Sequence, residues 1–145
     1  MEPARMEIDL AFVPGFSASL AGWEATLRVG GHGAVRCHWI GPSGPEERTG
    51  TRHDILLTPQ AFERLSGALR ELPEAFQRWA LDDAPVRHIR CRAGDGLIER
   101  RRSVSRKAAT PLEAAFDRVW LELFSLVRPA LVDLGMPESL VALAR

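Results

Sequence analysis

The chain has 145 residues, of which 46% are hydrophobic and 26% are charged, and its formal net charge is zero. This length predicts a single domain over residues 1–145. The composition is that of a globular protein and argues against a disordered chain, which would need fewer hydrophobic residues or a larger net charge. A zero net charge also gives the molecule no overall attraction to nucleic acid or to an anionic membrane.

The start of the chain and its cysteine content predict a cytoplasmic location. Residues 1–10 include four charged side chains and no apolar run, so we expect no signal peptide. No stretch approaches the roughly 18 apolar residues of a membrane span, so we also expect no membrane partner. Cys37 and Cys91 are the two cysteines, and a reducing cytosol would keep both as free thiols.

Alternating apolar and polar residues predict three β-strands in the first third of the chain. The alternation covers residues 6–12, 23–29 and 35–39, and the short breaks between these segments predict an antiparallel meander. Residues 41–54 are rich in proline, glycine and charged residues and are predicted to form a long loop. Residues 55–57 are predicted to form a short fourth strand.

A helix and a β-hairpin are predicted next. Thr58 and Pro59 predict the start of the helix, because threonine caps helices and proline is tolerated in their first turn. A second short helical piece is predicted over 76–80. Residues 86–93 and 97–105 are predicted to be the two strands of a hairpin that turns at a Gly-Asp-Gly sequence.

The final part of the chain predicts a long helix. Thr110 and Glu113 form a capping box around Pro111, and the helix is expected to run toward Gly135, with a kink or restart near Arg128 because Pro129 removes one backbone hydrogen bond. The order of strands, helix, hairpin and helix predicts an α+β domain. We expect an antiparallel sheet of about five to six strands, a meander followed by a hairpin, with two main helices packed on one face.

The cysteines and two of the histidines fall on predicted strands. Because side chains alternate faces along a strand, Cys37 and Cys91 should point into the core, whereas His38 and His88 should point outward. A catalytic cysteine–histidine couple needs both side chains within hydrogen-bond reach. The sequence therefore favours a protein without catalytic residues, metal or cofactor.

The other two histidines, His32 and His53, fall in predicted loops, and Asp54 follows His53. Their spacing matches no metal-binding motif, so surface histidines are the simpler interpretation. Loops can nevertheless bring distant residues together. A small enzyme or metal-binding protein that uses these three residues is therefore an alternative hypothesis.

Charge is segregated along the chain. Residues 86–107 contain eight basic and two acidic residues, so the zero net charge conceals a cationic hairpin. Guanidinium groups match carboxylates and phosphates, and we predict an acidic protein surface as the partner of this hairpin. The residues expected to make the contact are Arg90, Arg92, Arg100, Arg101 and Arg102.

Two other interpretations of the cationic hairpin stay open. It could bind an anionic ligand or nucleic acid, and nucleic acid is the less favoured of the two because no aromatic side chains that could stack on bases interleave with its arginines. Alternatively, the arginines pair with Glu7, Asp9 and Glu24 across the outer face of an edge of the sheet.

The long helix is more apolar than one sheet face requires. Trp120, Phe124 and Leu131 extend its apolar stripe on one side. These residues are expected either to pack against the first helix or to form a partner or homodimer surface. Together with the cationic hairpin they favour a non-catalytic protein-binding module, such as a small bacterial adaptor, inhibitor or immunity-type protein.

Overall fold

The computed structural model of the chain describes residues 6–13, 21–76, 85–103, 108 and 110–145. The elements in the described residues are strands β1 (Met6–Val13), β2 (Gly22–Arg28), β3 (Gly33–Gly41), β4 (Gly44–Arg52), β5 (Val86–Ala93) and β6 (Gly96–Ser103), helices α1 (Pro59–Arg70), α2 (Pro111–Asp133) and α3 (Glu138–Val141), and a 3-10 turn (Ala142–Ala144).

The six strands form one antiparallel sheet in the order β4-β3-β2-β1-β5-β6. Strands β1 to β4 form the meander, and the β5–β6 hairpin adds to it because β5 pairs with β1. The predicted α+β class, with an antiparallel sheet and two main helices, is confirmed. The strand order also places β6 at an edge of the sheet, as predicted.

The core lies between one face of the sheet, here called the inner face, and the helices. Side chains at alternate strand positions point to this face, because successive residues of a strand point to opposite sides. Core residues include Ile8, Leu10, Trp23, Leu27, Val35, Cys37 and Ile89 from the sheet and Phe62, Leu65, Phe116, Leu123 and Val127 from the helices.

The prediction of a long loop over residues 41–54 is wrong, because most of this segment is the edge strand β4. Gly41 and Gly44 are the last pair of the β3–β4 ladder, so only two residues form the turn. Gly44 has a φ of 119°, which glycine adopts readily. Pro45 is tolerated because β4 lies at an edge, where one row of backbone N–H groups is unpaired.

The segment that follows β4 also differs from its prediction. Residues 55–57 do not add a strand to the sheet, and Leu57 forms only an isolated parallel bridge with Val29. Ile55 and Leu57 are nevertheless buried, 4% and 3% exposed. Their apolar character therefore reflects a connection packed against the core. The helical piece predicted over 76–80 lies, apart from residue 76, outside the described residues.

Helix α2 begins at the predicted capping box. The Thr110 hydroxyl oxygen accepts a hydrogen bond from the Glu113 backbone N–H at 3.2 Å and donates to the Glu113 carboxylate at 3.1 Å. The helix continues through Pro129 without the predicted restart. Proline removes the hydrogen bond to the carbonyl of Ser125, and because both residues are on the exposed side, water can satisfy that carbonyl.

The end of α2 is fixed by a glycine and by contacts to β4. Gly135 has a φ of 97°, and the next residue, Met136, donates its N–H to the Leu131 carbonyl at 3.1 Å, a pattern that terminates many helices. A Cβ atom at Gly50 of β4 would lie 3.0 Å from the Leu134 side chain, so this glycine allows the helix end to approach the sheet. None of the helices in the described residues combines the length and apolar character of a membrane span.

Candidate functional site

The arginines of the cationic hairpin divide between the two faces of the sheet. Register places Arg102 opposite Arg87 and Arg100 opposite Ile89, so these side chains point to the inner face. Arg90, Arg92 and Arg101 point to the other face, here called the outer face. The hairpin therefore does not present one continuous cationic surface.

Arg102 is the centre of a buried ion-pair cluster between the hairpin and α2. Its side chain is 1% exposed, with Nη1 3.1 Å from Asp117 Oδ1 and Nε 3.4 Å from Glu113 Oε2. Arg87 shares the same Asp117 oxygen at 3.1 Å, and its guanidinium lies 5.6 Å from the Trp120 ring centre. Burial lowers the pKa of Arg87, and Asp117 opposes this shift. Arg102 therefore holds the fold together and has no surface for a partner to contact.

The guanidinium group of Arg100 also forms its hydrogen bonds within the chain. Its Nε donates to the Leu69 carbonyl at 2.8 Å, in the last turn of α1, and its Nη1 donates to the Glu99 carbonyl at 2.7 Å. The Leu69 carbonyl also accepts a hydrogen bond from the Leu72 N–H at 3.1 Å, and a cation at the C-terminal end of a helix interacts favourably with the helix dipole. Of the five arginines predicted to contact a partner, Arg101 is exposed and Arg90 and Arg92 are half-buried.

The apolar shoulder of α2 is covered within the chain. Trp120, Phe124 and Leu131 are 0%, 4% and 0% exposed. The Trp120 and Phe124 rings stack on Trp23 of the sheet, with centroid distances of 5.5 and 5.8 Å, and Trp120 Nε1 donates to the Ala144 carbonyl at 2.6 Å. The sheet and the segment after α2 thus account for the width of the apolar stripe.

The outer face carries a trough that the sequence does not reveal. Three cavities of 360, 450 and 260 Å³ lie side by side on it, and Glu24 lines all three. Because each pair of cavities shares lining residues, they form one depression, here called the outer trough. Its outward-pointing residues are Asp9, Ala11, Val13, Glu24, Thr26, Ala34, Arg36, His38, Glu47, Thr49, Thr51, His88 and Arg90.

The shape of the trough follows from side-chain size. Small side chains lie beside one another on neighbouring strands, since Ala34 pairs with Thr26 on one side and with Thr51 on the other. Longer side chains flank them. Glu24 lies between Ala11 of β1 and Arg36 of β3 in the register, so its carboxylate stands near the middle of the face.

The arginines around the trough are already paired. Arg36 Nη2 lies 2.7 Å from Glu47 Oε1, and Arg90 Nε lies 2.9 Å from Glu99 Oε1. Arg28 of β2 lies 3.7 Å from Glu7, but this arginine is not one of the hairpin arginines that were predicted to pair with that acid.

The two acids in the middle of the trough are not paired in this way. Within the described residues, Asp9 and Glu24 form no ion pair. Burial lowers the pKa of His88 on the trough wall, although Glu99 opposes this shift, and burial therefore disfavours a positive charge on the imidazole. The centre of the outer trough is therefore acidic.

The structure brings together two of the three residues in the alternative metal hypothesis. The rings of His32 and His53 contact each other edge to face, with centroids 4.0 Å apart. Asp54 accepts two hydrogen bonds from Arg52, both 2.7 Å long, which hold the pKa of its carboxyl group below the usual range. Within the described ranges, no group of three or more histidine, cysteine, aspartate or glutamate side chains could hold a metal ion.

The cysteines lie where the strand pattern predicts. Cys37 and Cys91 are free thiols, 0% and 1% exposed. Burial raises the pKa of both, that of Cys91 to about 11. We expect a thiol reagent such as 5,5′-dithiobis(2-nitrobenzoate) at pH 8 to modify neither cysteine in the native protein within minutes and both in denaturant. Rapid modification of the native protein would contradict this burial.

Comparison of the chain with protein-family models, with curated proteins and with solved structures found no match. The candidate site therefore depends on the geometry of the chain itself. The signal that could have located the outer trough is the set of small outward residues Ala11, Thr26, Ala34 and Thr49 on neighbouring strands. Using this signal requires the strand register, which one sequence does not supply.

Proposed function

We propose that this chain is a non-catalytic protein-binding module of the adaptor, inhibitor or immunity type, and that it binds its partner on the outer trough. The observation that carries the proposal is the acidic centre of the trough. Among the residues that the structure describes, Glu24 and Asp9 form no ion pair, although the neighbouring arginines are paired with other acids. The arginines of this surface already form ion pairs, whereas the two central carboxylates do not pair with any described residue. The surface is therefore complementary to a cation of a partner.

The chemistry of the trough specifies a partner that presents an arginine or lysine side chain. Such a side chain would lie on the small residues Ala11 and Thr26 and place its charge beside Glu24. Arginine suits this position best, because its planar guanidinium forms paired hydrogen bonds with a carboxylate. Arginine is also enriched at protein–protein interfaces.

The size of the outer face agrees with a protein partner. Six strands about 4.8 Å apart, with about 3.3 Å per residue, give a face of roughly 600 Å². This is close to the ~800 Å² that each partner contributes to a standard interface.

The cationic hairpin gives weaker support to an acidic protein, an anionic ligand or nucleic acid as the partner. Arg90, Arg100 and Arg102 are engaged within the chain, which leaves Arg101 as its exposed arginine in the described residues. The free thiols Cys37 and Cys91 agree with the expected cytoplasmic location, since disulfides are rare there.

A charge reversal tests the proposal. Glu24→Arg is expected to weaken partner binding at least tenfold, because it removes the central carboxylate and opposes the partner's cation with a like charge. Glu63→Arg is the matched control, since Glu63 is exposed on α1 in the helical layer. Both variants and the wild type would be used to capture partners from cells of the source organism. Equal capture by all three proteins would contradict the proposal.

Site-specific cross-linking identifies the face that the partner covers. A photoreactive phenylalanine analogue at Thr26 or Thr49 is expected to cross-link the captured protein, whereas the same analogue at Gln60 or Arg118 in the helical layer is not. Cross-links from the helical layer alone would overturn the assignment of the trough. Light scattering on the purified chain would show whether the partner is a second copy.

A further inference from the structure

The His32–His53 pair lies directly beyond the end of the β3–β4 ladder. Gly33 and Arg52 are the last paired residues at this end, and the two histidines are the next residues beyond the ends of β3 and β4. Their rings are both exposed, with centroids 4.0 Å apart and planes inclined by 73°. Rotation about the side-chain bonds can direct one nitrogen of each ring toward a common point on the outside of the sheet.

The backbone that carries the pair is held in place on both strands. A Cβ atom at Gly33 would lie 3.0 Å from the Ile55 side chain, so the chain next to His32 packs closely against a buried residue. On the other strand, Arg52 binds Asp54 on the far side of His53, and it also contacts Asp133 at the end of α2. Two imidazoles on backbone fixed in this way need little ordering to bind one ion.

The charge near the pair favours a cation. Asp54 and Asp133 together carry two negative charges, and Arg52 between them carries one positive charge, so a net negative charge remains beside the histidines. Neutral imidazole is a good ligand for zinc, copper and nickel ions.

We propose that the His32–His53 pair binds one divalent transition-metal ion through one nitrogen of each imidazole, with water in the remaining positions. Within the described residues the pair has no third histidine, cysteine, aspartate or glutamate ligand, and Asp54 is held away by its two hydrogen bonds from Arg52. A site with two protein ligands and open positions is weaker than a closed four-ligand zinc site. Such a site takes up and releases its ion readily.

Calorimetric titration of the untagged full chain with zinc and with nickel at pH 7.5 tests this proposal. We expect one equivalent to bind, and His32→Ala and His53→Ala each to weaken binding at least tenfold. The chain has four histidines, and His38→Ala is the matched control, because His38 is exposed on the same strand as Gly33 but at its other end.

Three results of the titration would overturn the proposal. Absence of binding by the wild type would overturn the proposal, and so would wild-type affinity in both pair variants. An equal loss in His38→Ala would also overturn it, since the affinity would then belong to histidines in general. Partner binding at the outer trough does not enter this experiment, so the two proposals fail separately.

Discussion

Replacement of Arg102 by alanine is expected to lower the free energy of unfolding by about 3–5 kcal/mol. The substitution removes one cation from the buried ion-pair cluster, so that Glu113, which is 4% exposed, loses its contact with Arg102 at 3.4 Å. It also leaves Asp117 with Arg87 alone. A buried carboxylate without its cation is costly, because the interior screens and solvates charge poorly. Domains of this size are stable by only about 5–15 kcal/mol, so the loss would be a large part of the total.

Urea unfolding followed by tryptophan fluorescence measures this effect. Arg101→Ala is the control, because Arg101 is the adjacent residue of β6 but is exposed on the outer face, and its removal should change stability by less than about 0.5 kcal/mol. A double variant, Arg102→Met with Glu113→Met, should recover part of the loss, since it removes both charges together. Equal effects of Arg101→Ala and Arg102→Ala would contradict the buried cluster.

Replacement of Trp120 by alanine is expected to cost about 3–5 kcal/mol, the usual range for a large buried aromatic residue. The indole is 0% exposed and stacks on Trp23, so its loss leaves a cavity at the centre of the core. Leu121→Ala is the control, because Leu121 is the next residue of α2 but is 42% exposed. Thermal and urea unfolding would measure both variants, and comparable losses would contradict the placement of Trp120.

Trp120→Phe separates the indole hydrogen bond from the burial of the ring. Phenylalanine preserves most of the stacking on Trp23 but cannot donate to the Ala144 carbonyl, which the indole N–H reaches at 2.6 Å. Loss of one hydrogen bond costs about 1 kcal/mol. Hydrogen exchange should therefore become faster in α3 and the 3-10 turn and remain unchanged in β1 and β2. Unchanged exchange throughout would show that this bond does not hold the segment.

The sequence predicts those strands and helices that have one buried face and one exposed face. Strands β1, β2, β3 and β5 alternate cleanly, and the starts of α1 and α2 carry capping residues, so each was located within a few residues. Strand β4 is not predicted from the sequence, because it lacks apolar residues at alternate positions. It lacks them because an edge strand contributes little to the core. Its charged residues are typical of an edge and equally typical of a loop.

The candidate site was harder to predict, because it depends on register. Neither face of β6 is apolar, so the alternation alone could not decide whether Arg102 or Arg101 points inward. The pairing of Ile98 with the buried Cys91 decides it. The outer trough combines residues of five strands, and the His32–His53 pair combines residues far apart in the chain. Periodicity describes one strand at a time and contains no information about its neighbours.

The position of helix α2 couples the two edges of the sheet. It begins beside β6, where Glu113 approaches Arg102, and ends beside β4, where Leu134 packs on Gly50. At about 1.5 Å per residue, its 23 residues span roughly 34 Å, more than the roughly 24 Å between the outer strands of a six-stranded sheet. Helix α2 thus contacts both edge strands of the sheet. Separation of either edge strand from the domain would disrupt the packing of α2 and therefore its contacts with the opposite edge strand. The chain should therefore open as one unit, and the curvature of the outer trough should persist until the whole domain unfolds.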